Sequence, residues 1–163
     1  MKTPSEVKSF LQADSLQFSD PFGMSGMKTT VDRIMAAKRR GEKVLVHGDY
    51  DADGITATTI MLSALKAVGI DCSFFIPNRI AHGYGFKKAG VEQARQLGVS
   101  LVITVDCGIS SFDAAAACKK EGMDVIITDH HEPASAHDAP SSERDFSLPE
   151  AIAVVNPRIS DRQ

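Results

Sequence analysis

This sequence predicts an α/β fold, a parallel β-sheet flanked by helices, and three observations carry the prediction. Four short β-rich runs recur at residues 43–47, 71–76, 101–105 and 124–128. A glycine able to close a helix stands shortly before each of them, at Gly41, Gly69, Gly98 and Gly122. A polar turn able to open the next helix comes after each run. Strand alternating with helix at this spacing implies right-handed crossovers, so the four strands point the same way. With 163 residues, 43% of them hydrophobic, the chain can bury a core around such a sheet.

Each element has its own signal. The first 40 residues read as an N-terminal helical segment in two amphipathic pieces, 5–12 and 24–40, broken by Asp20-Pro21-Phe22-Gly23. In the second piece Val31, Ile34 and Met35 face inward, while Lys38, Arg39 and Arg40 suit the last turn, where cations meet the helix dipole. Between the first two strands, Ile60, Met61, Leu62 and Leu65 stand at helical spacing within 55–68. Ser110-x-x-Asp113 reads as the cap of an Ala-rich helix that ends near Gly122. The units differ in sequence, so the repetition means a shared βα unit and not a solenoid. After Pro133 the chain is small, polar and without period, which reads as a loop, and 151–155 reads as a fifth strand.

Composition narrows the function classes. The longest stretch without a charge runs 12 residues from Gly54 to Leu65 and holds three Thr, too short and too polar to cross a bilayer. The first residues lack the apolar core of a secretory signal, so the expected compartment is the cytoplasm. Cys72, Cys107 and Cys118 form no C-x-x-C pair and are odd in number, which argues against a disulfide scaffold or a zinc knuckle. A net charge of -3 gives no whole-molecule attraction to nucleic acid, so such a partner needs local cations or bound metal.

In an open parallel sheet ligands bind beyond the carboxyl ends of the strands. The residues just after the runs are rich in metal-binding side chains: His47, Asp49, Asp51 and Asp53 at the end of the first, Asp106 after the third, and Asp129-His130-His131-Glu132 after the fourth. So many carboxylates in a partly buried cleft repel unless cations neutralise them. Carboxylate and imidazole without thiolate favour Mn²⁺ or Mg²⁺, with Zn²⁺ or Fe as alternatives, and the number of candidate ligands favours two ions about 3.5–4 Å apart. Asp49-x-Asp51-x-Asp53-Gly54 also matches the opening of a calcium hand, but its twelfth position is Ile60 instead of Glu, and a strand precedes it instead of a helix. Asx turns and helix caps would explain one such Asp, though not the whole set.

Other polar residues stand near the same edge. Arg79, after the second run, is a candidate to meet a phosphate, with a surface ion pair as the competing role. Tyr84 and Phe86, in and beside a Gly-rich loop, are candidates for base stacking, with core packing as the competing role. Cys107 reads as a small buried residue.

These motifs resemble the DHH phosphoesterases, and within them the RecJ-type single-strand DNA exonucleases, over about residues 20–158. Gly-Asp-Tyr-Asp-Ala-Asp-Gly at 48–54 is similar to the family's first motif, Val-Asp-Cys-Gly at 105–108 to its second, and Thr-Asp-His-His-Glu at 128–132 to its third. Ile-Pro-Asn-Arg with His-Gly-Tyr-Gly (76–85), and Leu-Pro with Val-Asn-Pro (148–157), resemble the RecJ type in particular. The resemblance implies a Rossmann-like DHH domain in which His47, Asp51, Asp53, Asp106 and His130 hold two metals, with Asp49 close by and Asp106 as the bridge. It further implies that His131 touches substrate phosphate or assists the leaving group, and that Arg79 meets the scissile or terminal phosphate. The implied activity is metal-dependent 5′-to-3′ hydrolysis of single-stranded DNA in repair and recombination. The implied partners are single-stranded DNA, a single-strand-binding protein and the C-terminal part of the same enzyme.

One departure shapes the expectation. The family's fourth-motif Asp and its C-terminal domain have no counterpart here, and Asp161 follows no apolar run. Residues 41–163 are therefore expected to be a partial catalytic domain. A small-nucleotide or pyrophosphate phosphohydrolase on the same scaffold, and a non-catalytic DNA-associated module, are the alternative readings.

Overall fold

The computed structural model describes residues 19–134 and 147–159, together with Thr3 and Val7. The expected helix at 5–12, most of the polar loop after Pro133, and Asp161 lie outside the described residues.

Asp20 opens a short 3₁₀ turn, Pro21–Gly23, by accepting a bond from the Phe22 N–H at 2.9 Å. Helix α1 comes next (Met27–Arg40), with Lys38, Arg39 and Arg40 in its last turn. Strand β1 (Val44–His47) leads into α2 (Ala52–Ala67), β2 (Cys72–Phe75) into α3 (Lys88–Leu97), and β3 (Leu101–Val105) into α4 (Phe112–Lys120). Strands β4 (Asp124–Thr128) and β5 (Ala153–Val155) complete the series. All pairings are parallel, and the order across the sheet is β2-β1-β3-β4-β5. The four inter-element glycines take left-handed conformations, with φ between 61° and 78°, as helix-closing residues must.

The period-2 alternation of the strands divides the core in two. Val44, Val46, Leu101, Ile103 and Ile126 pack against α1 and α2 through Ala37 and Leu65. Leu45, Val102, Val125 and Ile127 pack on the opposite face against α3 and α4 through Val91, Ala94, Ala114 and Cys118. The three cysteines are free thiols, Cys107 and Cys118 buried and Cys72 partly so. Among the described residues no helix is long and apolar enough to cross a membrane.

Three local expectations are corrected. In α1 the buried residues are Thr30 and Ala37, with Ile34 packed behind them, whereas Val31 and Met35 are each 36% exposed. Ile34 meets the core as expected, but the rest of the stripe is built of small side chains, so hydrophobicity alone misplaced Val31 and Met35. Helix α2 begins three residues earlier than its apolar run, because the Asp51 carboxylate caps it by accepting the Gly54 N–H at 2.9 Å. Ser110 does not cap α4; Ser111 occupies that position and makes no side-chain cap bond.

Opposite the strand ends that carry the acidic motifs, one ion-pair clamp closes the sheet. Arg33 of α1 reaches Glu42, before β1, at 2.7 Å and Asp124, at the start of β4, at 2.6 Å. The helix is thereby tied to two strands at once.

Candidate metal centre

Three loops at the carboxyl ends of β1, β3 and β4 converge on one rim. After β1 the chain turns back so tightly that a Cβ on Gly54 would stand 2.5 Å from the Asp49 carbonyl oxygen, so only glycine fits there. That turn drives Asp49 inward to 1% exposure and leaves its Oδ1 buried without a hydrogen-bond partner. Asp51, the exposed cap of α2, stands beside it.

After β3, Asp106 is the one non-glycine residue among those described with positive φ, at 59°. Its N–H donates to the Thr128 carbonyl at 3.0 Å, extending the β3–β4 pairing one step. Holding an Asp in the left-handed region costs of order 1 kcal/mol or more, a strain typical of functional positions. The residue is only 8% exposed, and its side chain is aimed at the rim, where Oδ1 lies 2.8 Å from His130 Nε2.

The β4 loop is organised by Asp129. Its Oδ2 accepts the Ile109 N–H at 3.0 Å, and its Oδ1 accepts the N–H groups of His130 (2.7 Å) and His131 (3.0 Å). His131 Nδ1 also lies 2.7 Å from that Oδ1. So engaged, Asp129 is a positioning residue that joins the β3 and β4 loops and orients His131. Asn156, after β5, adds a second latch by donating to the His131 carbonyl at 2.9 Å. Neither role stands out in the sequence, although an Asp followed by residues whose N–H groups it can accept is an Asx-turn signal.

Two triads result: Asp49, Asp51 and Asp106, and Asp106, His130 and His131, the donor atoms of each lying within 4.8 Å of one another. Asp106 belongs to both. Burial first, then the neighbouring Asp51, raises the pKa of the Asp49 and Asp106 carboxyls. Crowded carboxylates, an orphaned buried oxygen and imidazole without thiolate fit hard or borderline divalent cations.

His47 and Asp53 lie outside both triads. His47 shares the sheet face of Leu45, and its ring packs against Phe75 (centroids 5.4 Å apart) and Phe86 (4.9 Å). A Cβ on Gly90 of α3 would come within 2.5 Å of the ring, so that glycine makes room for it. Burial pushes the His47 pKa down to about 4. Its Nδ1 is 3.6 Å from Cys107 Sγ. Asp53 sits exposed in the first turn of α2.

Beyond β2, Asn78 is used locally, its Oδ1 accepting the N–H groups of Ile80 and Ala81. Arg79 is exposed, its guanidinium 5.5 Å from the centre of the Tyr50 ring. Tyr50 in turn meets Tyr84 edge-on at 6.4 Å, and Tyr84 meets His131 at 6.0 Å. An aromatic line thus runs from Arg79 to the rim, and Tyr50, hidden between the aspartates of the first motif, was not foreseen in it. Tyr84 is 47% exposed, whereas Phe86 is 1% exposed and belongs to the core, which removes it from the stacking candidates.

Comparison with known proteins gives a consistent result. The family described as DHH family, N-terminal domain, matches residues 43–162. The single-stranded-DNA-specific exonuclease RecJ of Bacillus subtilis is 40% identical over 156 residues, which cover 96% of this chain and 18% of that protein. The Escherichia coli protein of the same name is 36% identical, over 85% of this chain and 22% of its own length. The chain thus spans about a fifth of the length of the curated relatives it matches. A crystal structure of exonuclease RecJ bound to manganese superposes with a TM-score of 0.74 and 32% identity, covering 90% of this chain and 34% of the other.

Proposed function

This chain belongs to the DHH family, and from that premise we propose that it holds the metal-binding part of a phosphodiesterase that degrades single-stranded DNA. The observation that carries the reading is Asp106, shared by two ligand triads and held there in a left-handed backbone conformation. Asp49, Asp51 and Asp106 would hold one divalent ion, and Asp106 with His130 a second. His47 and Asp53 remain candidates from the resemblance. Manganese, named for the solved relative, and magnesium both suit these donors. Bound ions of this kind activate water and offset the charge that grows on phosphoryl oxygens.

The remaining steps belong to the protein's own side chains. Asp129 fixes the His131 ring through Nδ1, which leaves Nε2, beside the Tyr84 hydroxyl at 3.3 Å, for a phosphate or leaving-group oxygen. Arg79, carried on Tyr50, supplies a guanidinium for a second phosphate. Tyr84 offers a ring face to a base. Preference for single strands would come from the width of a cleft formed with the rest of a longer polypeptide, of which residues 41–163 would be one part and residues 1–40 a helical lead-in. Cytoplasmic location and association with a single-strand-binding protein belong to the same reading.

Calorimetric titration tests the centre directly. Mn²⁺ should bind the 163-residue chain, and Asp106→Ala should weaken binding at least a hundredfold because both triads lose a ligand. Undiminished affinity in that variant would remove the shared-ligand reading. In the full-length polypeptide, a labelled single strand should be degraded faster than duplex. Faster turnover of pyrophosphate or dinucleotides than of DNA would favour a small-nucleotide hydrolase instead.

A further inference from the structure

On the sheet face covered by α3 and α4 lies a groove of about 1080 Å³, just above the range of roughly 300–1,000 Å³ usual for small-molecule sites. Tyr84, Asp129 and His131 form one end of it. His131 also belongs to the triad with Asp106 and His130, so the groove opens directly onto the metal rim. Its apolar lining comes from Val91 of α3, from Ile109, and from Phe112, Ala114 and Ala117 of α4.

The charges along the groove decide what fits. Lys87, Lys88 and Arg95 are offset by Glu92, Asp113 and Glu121, and Lys88 is paired with Glu92 at 3.5 Å. Asp129 adds a fourth carboxylate at the rim end, its oxygens engaged by Ile109, His130 and His131. Such a balance exerts no net pull on a chain of phosphates, and the apolar lining contributes nothing to hold one. A flat, uncharged heterocycle meets both conditions, burying its faces on the lining while its edges reach the polar margins.

We propose that this groove is the subsite for the nucleoside attached to the phosphate held at the metal rim, the base lying between α3 and α4. The inference rests on the phosphodiesterase reading above and adds to it where the base goes.

The test uses the 163-residue chain with Mg²⁺, comparing deoxyadenosine monophosphate with inorganic phosphate by calorimetry and by amide chemical shifts. The mononucleotide should bind at least tenfold more tightly than phosphate and shift the amides of Val91, Ile109 and Ala117. Ser111 caps α4 without a side-chain bond, so Ser111→Trp fills the groove without breaking one. It should remove the tenfold advantage while leaving Mg²⁺ and phosphate affinity unchanged, and Ala117→Leu should act in the same direction. Equal affinity for mononucleotide and phosphate, or shifts confined to Arg79 and Tyr50, would overturn the inference while leaving the metal centre intact. A chain that binds neither Mg²⁺ nor phosphate would overturn the phosphodiesterase reading, and the subsite with it.

Discussion

The two ends of the sheet treat charge in opposite ways. At the amino end Arg33 is half-buried between Glu42 and Asp124, with Arg40 adding a longer contact to Glu42 at 3.3 Å. Burial alone would push the Glu42 pKa up, but hydrogen bonds and charge from Arg33 outweigh it and hold the carboxyl below its ordinary value. At the carboxyl end Asp49, Asp51 and Asp106 crowd together, Asp49 keeps a partnerless oxygen, and Asp106 sits on a strained backbone. There burial raises the pKa of the Asp49 and Asp106 carboxyls. On the reading proposed above, one end is arranged for the folded chain itself and the other for what it binds.

Breaking the amino-end clamp should have the largest effect on stability. Arg33→Ala removes two charge-assisted bonds, leaves the half-buried Glu42 only its longer contact with Arg40, and should cost about 3 kcal/mol in urea unfolding, with Mn²⁺ affinity unchanged. Arg33→Met combined with Glu42→Gln should recover part of that loss, because no buried charge is then stranded.

His47 supplies a pH-dependent contrast of similar size. Its folded pKa of about 4 lies below the ordinary histidine value of 6.5, so the unfolded chain binds the extra proton between those limits. Its contribution is intact above pH 6.5 and is lost as the pH falls toward 4, by about 3 kcal/mol in total. Urea midpoints of metal-free protein at about pH 7 and about pH 4.5 should show this slope, and His47→Phe should flatten it.

The smallest expected change sharpens the comparison most. A carboxyl whose pKa is raised in the folded state destabilises that state once ionised, so Asp49→Asn should slightly stabilise the metal-free chain at pH 7. The same variant should weaken Mn²⁺ binding about tenfold, since a candidate ligand has lost its charge. Thermal melts with and without Mn²⁺ should therefore move in opposite directions. Parallel movement would mean that Asp49 serves the fold alone.

Much of this architecture can be read from residue order. Strands β3 and β4 fall at the expected bounds because each is an apolar run closed by Asp. The edge strands β2 and β5 are shorter than their runs, since an edge strand has one neighbour to pair with and its ends leave the ladder first. Asp49, Asp51, Asp106 and His130 were foreseen together because they follow strand ends, where a parallel sheet gathers what it binds. His47 was harder. Whether a last strand residue joins the rim or the core depends on which face its parity selects, and only the helices assigned to each face decide that. Asp129 went unassigned for another reason: its role lies in accepting hydrogen bonds, and composition carries no record of which carboxylates are already occupied.

The backbone at Asp106 has one more consequence, for how this position tolerates change. A left-handed conformation admits glycine and, at modest cost, asparagine or aspartate. Of those three only aspartate brings a full negative charge, and glutamate, which brings the charge, suits the conformation poorly. Two independent demands therefore intersect at a single residue type, and drift at residue 106 has no neutral path.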